Sequence, residues 1–110
     1  MLTHVAVFWT DKPPGEARDA LLAGARELLP QIPGPVEFHA GVAVPSTRGV
    51  VDDSFAVALT ITFPDRDTMM AFRAHPLHTK FVEEYVLKYS TRRVAYDLAE
   101  ATHRVGSVRT

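Results

Sequence analysis

From Leu2 to Trp9 the side chains Val5, Val7 and Trp9 alternate with Leu2, His4, Ala6 and Phe8. This period of two, rich in β-branched and aromatic residues, predicts a strand that is largely apolar on both faces. After Pro13-Pro14-Gly15 the period changes: strong helix formers run from Glu16 to Leu29, with Ala17, Leu21, Gly24 and Leu28 on one stripe, until Pro30 ends the helix. Beyond the turn Gln31-Ile32-Pro33-Gly34, a second strand is predicted over Val36 to Val44, where Val36, Phe38, Ala40 and Val42 oppose Glu37, His39, Gly41 and Ala43. A loop from Pro45 to Asp53 precedes a third strand, in which Phe55, Val57, Leu59, Ile61 and Phe63 alternate with Ala56, Ala58, Thr60 and Thr62. Asp65 then suits a helix N-cap and Asp67 its first turn. That helix must break at His75, because a residue before proline is pushed out of the helical region; Pro76 suits the first position of a new helix, predicted through Lys88. Arg92 to Leu98 reads as the last strand.

The order strand, helix, strand, strand, helix, broken helix, strand is that of an α+β ferredoxin-like sandwich, a four-stranded antiparallel sheet with helices on one face. Strands one, three and four read as apolar or small on both sides, so the face without helices needs a cover. A bare apolar sheet face exceeds the few hundred Å² usual on a monomer, which predicts a homodimer packed sheet to sheet.

The chain has 110 residues, enough for one domain, and 46% of them are hydrophobic against 23% charged. Lys and Arg number 12 and Asp and Glu 13, so no basic field exists to hold a phosphate backbone, and nucleic acid is not an expected partner. With no cysteine, thiolate metal sites, disulfides and a cysteine nucleophile drop out together. No apolar run approaches the ~20 residues of a membrane span, and the opening Met1-Leu2-Thr3-His4 has no secretion signal, so no membrane partner and a cytoplasmic location are expected. The domain is read as residues 1–98. A tail over 99–110 has few bulky apolar residues and, if ordered, needs the partner subunit or a neighbouring molecule to pin it.

Among the polar residues, His78 stands near the start of the helix opened by Pro76, on the face of Phe81, Val82 and Tyr85. Burial there disfavours imidazolium and would leave a neutral ring able to accept a proton near pH 7, as a general base requires. The competing reading is a core histidine that fixes the helix break. His4 is polar in an apolar strand, and its ring either points beneath His78 or bonds to a neighbouring strand. His75 reads as a cap. Phe72, Phe81, Tyr85 and His39 are the candidate substrate-binding residues, while Met69 and Met70 read as core beside Phe72. His-Pro-x-His lacks the i, i+4 spacing and nearby carboxylate of helical zinc motifs, so neither metal nor other cofactor is expected.

Three features are together familiar: the opening His4-Val5-Ala6-Val7-Phe8, the Gln31-Ile32-Pro33-Gly34 turn, and Ala74-His75-Pro76-Leu77-His78 followed by Phe81-Val82. The sequence resembles the stress-responsive dimeric α/β barrel family over nearly its whole length to about Asp97. That resemblance implies a ferredoxin-like protomer whose sheet joins that of a second subunit. In the family's plant polyketide cyclase branch, a pocket holds histidines at the positions of His4 and His78 and two tyrosines at positions that fall here on Ala25 and Phe72. The expectation is a small apolar pocket in which His78 and His4 bind, cyclise or deprotonate a polyketide-like or aromatic acid. The alternative is a non-catalytic, stress-related homo-oligomer with structural histidines. A cofactor-free monooxygenase is a third reading by fold analogy, with Trp9 its one sequence feature.

Overall fold

A computed structural model describes residues 1–11 and 15–100. The predicted tail lies outside the described residues beyond Glu100, as do Pro13 and Pro14 of the first loop. Strand β1 (Leu2–Trp9) is followed by α1 (Glu16–Leu28), β2 (Glu37–Val42), β3 (Val57–Phe63), α2 (Arg66–Ala74), α3 (Pro76–Phe81), α4 (Leu87–Tyr89) and β4 (Arg92–Ala99). Neighbouring strands are antiparallel in the order β2-β3-β1-β4, the ferredoxin-like arrangement.

The alternation in β3 sorts its side chains completely. Val57, Leu59, Ile61 and Phe63 are buried beneath the helices, while Ala58, Thr60 and Thr62 lie on the opposite face. Register carries that division across the sheet, pairing Ala6 with Leu59 and His4 with Ile61 on the helix side. Leu21, Ala25 and Leu28 of α1, Met69 and Phe72 of α2 and Phe81 of α3 close the core from above.

Both middle strands are shorter than the alternation predicts. Val36 keeps one bond to the sheet, its N–H donating to Thr62 O at 2.8 Å, and Ala56 N–H donates to Phe8 O at 2.8 Å, but pairing stops there because β1 ends at Trp9. After α1, Pro30 sits inside a 3₁₀ turn over Leu29–Gln31. At α2 the Asp65 carboxylate accepts from the Thr68 N–H at 2.8 Å and hydroxyl at 2.7 Å, bonds that hold its pKa below the ordinary value. His75 is extended and its Nδ1 accepts from the Leu77 N–H at 3.0 Å, so it ends one helix and caps the next.

The helix predicted from Pro76 to Lys88 is interrupted by a π-helical segment, Val82–Val86. One extra residue in a turn advances every later side chain around the axis. Val86 thereby takes the inward position that regular spacing assigns to Tyr85, and Tyr85 swings toward α1. Its ring lies where a Cβ on Gly24 would stand, with Tyr85 Cδ1 only 2.5 Å away. Gly24→Ala would gain helix propensity of about 1 kcal/mol. It must also displace a ring stacked on Phe81 with centroids 6.1 Å apart, and overpacking of this kind costs about 1–3 kcal/mol. The expected net result is a melting temperature several degrees lower; a value at or above wild type would mean the ring moves away freely.

Strand β4 departs from the two-sided reading. Its apolar residues Val94, Tyr96 and Leu98 face away from the helices, beside Val7, Val5 and Thr3 respectively, while Arg93, Ala95 and Asp97 occupy the helix side. Among the described residues no helix covers that edge. Tyr96 and Leu98 are 59% and 57% exposed, which leaves the open sheet face with an apolar centre.

Candidate functional site

The gap between helices and sheet beside β4 is a cavity of about 400 Å³, within the range of small-molecule sites. Its floor is His4, Ala6 and Phe8 of β1 with Leu59, Ile61 and Phe63 of β3; Met69, Phe72, His78, Phe81, Val82 and Val86 form the roof. Arg73, at the end of α2, and Arg93, on β4, complete the polar lining. Among the described residues, no serine, threonine or tyrosine lines it.

His4 and His78 therefore stand in one cavity, from opposite layers of the sandwich. His4 is inward because β1 places its even-numbered residues under the helices, and the β1–β4 register sets Asp97 directly across from it. Its Nδ1 meets Asp97 Oδ1 at 2.5 Å. An ionised carboxylate only accepts, so this contact puts a proton on Nδ1 and leaves Nε2 for another partner. His78 projects from the first turns of α3 and meets the Phe72 ring edge to face, centroids 5.5 Å apart. Burial lowers its pKa from the ordinary 6.5, and the nearby charges of Arg73 and His4 lower it further. The uncharged ring is thus the prevailing form at neutral pH.

The aromatic candidates divide. Phe72 and Phe81 are cavity walls, held by edge-to-face contacts with Phe63 at 5.1 Å and Phe8 at 6.4 Å between centroids. Tyr85 is not in the wall, because the π segment turns it to Gly24. His39 stands opposite Thr60 on the open face of the sheet, away from the cavity. Trp9 is also outside: its Nε1 donates to Ser54 Oγ at 2.9 Å and the Arg92 guanidinium lies 4.3 Å from its ring centroid. Ala25 is fully buried in the core, and Phe72 brings a ring without a hydroxyl.

Asp97, Arg73 and Arg93 escaped the sequence reading. An aspartate in a terminal strand and two arginines among many have no local signature; the alternation of β4 against Val94, Tyr96 and Leu98 is the one signal that could have set Arg93 and Asp97 on a common inward face. Among the described residues, no three of the histidines, aspartates and glutamates gather as a set of metal ligands, and no helix is long and apolar enough to cross a membrane.

A sequence model of the stress-responsive A/B barrel domain matches residues 2–100. Solved structures of similar fold include a Dabb family protein with a ferredoxin-like fold from Mesorhizobium loti, 18% identical over 91% of this chain and 96% of its own, with a TM-score of 0.74. The hydroxynitrile lyase of Passiflora edulis is 16% identical over 94% of this chain and 95% of its own, at a TM-score of 0.75. A dimeric ferredoxin-like protein of unknown function from Thermobifida fusca is 18% identical over 90% of both chains, at 0.72. At such identities the likeness is one of fold. No curated protein matches the sequence.

Proposed function

Because the chain belongs to the stress-responsive A/B barrel domain family, we propose that its cavity binds a small apolar carbonyl compound, a polyketide-like or aromatic acid, and moves a proton on it with His78 and His4. The observation that carries this reading is the pairing of two unlike histidines in one apolar cavity, one kept uncharged by burial and one oriented by a carboxylate. His78 takes the proton from the carbon next to the carbonyl. Charge then gathers on the carbonyl oxygen, which accepts from Nε2 when the His4 ring carries a proton on both nitrogens, its Nδ1–H donating to Asp97. The aromatic walls exclude water and strengthen both interactions.

The functional unit of this reading is a homodimer joined through the open sheet faces. Val5, Val7, Val94, Tyr96 and Leu98 supply the apolar centre of that surface, and the Thermobifida fusca neighbour of the same fold is dimeric. A second reading, binding without turnover, is favoured by the cavity lining among the described residues, in which no hydroxyl stands to polarise a carbonyl.

A thermal-shift screen with aromatic acids, β-diketones, lactones and, given the lyase among the neighbours, aromatic hydroxynitriles separates the two. A ligand at 100 times its Kd adds about 2.7 kcal/mol to stability, several degrees for a domain of this size. Each hit is then followed by NMR in deuterated buffer. Exchange at the acidic carbon faster than buffer alone supports proton transfer; a bound ligand with no exchange leaves the binding role, and silence across the panel defeats both.

A further inference from the structure

Among the described residues, Arg73 and Arg93 are the arginines of the cavity lining, and both are exposed, which sets them at its rim. Among the described residues neither belongs to an ion pair; the pairs present are Met1 with Glu100, His4 with Asp97 and Arg18 with Asp19. Asp97 shares the inward side of β4 with Arg93, but the four residue steps between them span about 13 Å, and Asp97 is engaged by His4. The chain sets Arg93 on the helix side of β4, where its exposure keeps the charge hydrated and open to an anion, and gives the neighbouring Val94 to the open face. Arg73 comes to the same rim from the other layer, on the turn that ends α2 at His75.

Resting on the reading of the cavity as a site for a small carbonyl compound, we infer that Arg73 and Arg93 form a carboxylate clamp, so that the ligand is a monoanionic acid with its charge at the rim and its apolar body between Phe72 and Phe81. The planar guanidinium fork suits a carboxylate, to which it donates two parallel hydrogen bonds. Clamping at the rim leaves the ligand's carbon skeleton inside, where His78 and His4 stand. The charge of Arg73, which helps keep His78 unprotonated, is then neutralised when the ligand enters, making His78 a stronger base with ligand bound than without.

The test is calorimetric titration of the full chain at pH 8 with 3-phenylpropanoate and with its amide, which has nearly the same shape and no charge. Wild type is expected to bind the carboxylate at least about tenfold more tightly, the effect of a charge-assisted hydrogen bond. That preference should fall as salt rises. Arg73→Met and Arg93→Met should each remove most of the preference, weakening the carboxylate far more than the amide, whose neutral oxygen accepts more weakly. Both sites are exposed, so folding should be kept, which circular dichroism of each variant checks. In a histidine NMR titration, Arg73→Met should raise the midpoint of His78, and 3-phenylpropanoate should raise it in wild type. Equal binding of acid and amide overturns the clamp but leaves the cavity reading standing. Failure of both probes to bind at millimolar concentration overturns both.

Discussion

Val7→Asp is expected to turn a dimer into a monomer in sedimentation velocity at micromolar protein. Val7 lies on the open sheet face beside Val94, next to the Val5 and Tyr96 pair. In a sheet-to-sheet dimer the substitution buries a carboxylate from each subunit without a partner, at several kcal/mol per ion. Even one such penalty weakens association by about three orders of magnitude. Val7 is half-buried in the protomer, so Tyr96→Lys provides the control for folding: Tyr96 is 59% exposed and changing it removes little from the protomer's own core. Both variants should keep wild-type circular dichroism and sediment as monomers. A monomeric wild type, or a Tyr96→Lys protein as dimeric as wild type, rejects the sheet face as the interface.

His78→Asn is expected to slow proton exchange on a bound ligand by about 10²–10⁴-fold, the usual contribution of a general base. The amide fills similar space and cannot take up the proton. In wild type the rate should rise with pH through a midpoint below 6.5, because burial, the largest cause of the lowered pKa of His78, persists when ligand is bound. The same depression predicts how stability depends on pH. Between the lowered folded pKa and the ordinary 6.5, the unfolded chain binds a proton that folded His78 refuses. Stability therefore rises with pH across that window; this contribution is fully present above 6.5 and is lost as pH falls toward the folded pKa. His78→Asn should flatten that part of the profile in urea titrations at stepped pH. An unchanged slope, or exchange as fast as wild type, removes His78 from the role of base.

The architecture was open to reading because each of its signals is local. Alternation in Leu2–Trp9 and Val57–Phe63 depends only on which side each residue must bury, and Asp65, His75 and Pro76 act within one turn of themselves. The inward face of His78 followed from helical spacing in the same way, whereas His4, in a strand apolar on both sides, had no such signal. Strand ends were less legible: Val36 and Phe55 continue the apolar alternation, but pairing depends on how far the neighbouring strand extends.

The π segment and the polar rim lay beyond such arguments. Nothing in Val82-Glu83-Glu84-Tyr85-Val86 distinguishes a π turn from an α turn in isolation. The close approach of Tyr85 to Gly24, far away in the chain, accompanies the turn that sends Val86 into the cavity wall. Tyr85 and His39 looked like pocket residues because spacing gives a face of an element without giving that face's neighbour.

By itself, then, the sequence determined the order of elements, the alternation along each strand, the break at His75 and the inward face of the helix that carries His78. These follow from backbone preferences and from hydrophobic burial, which act over a few residues. Tertiary structure alone decided that Asp97 orients His4, that Arg73 and Arg93 share one rim, and that the apolar side of β4 turns away from the helices. Those relations are matters of strand register and layer packing between residues distant in the chain, and they are settled only when the whole core closes at once.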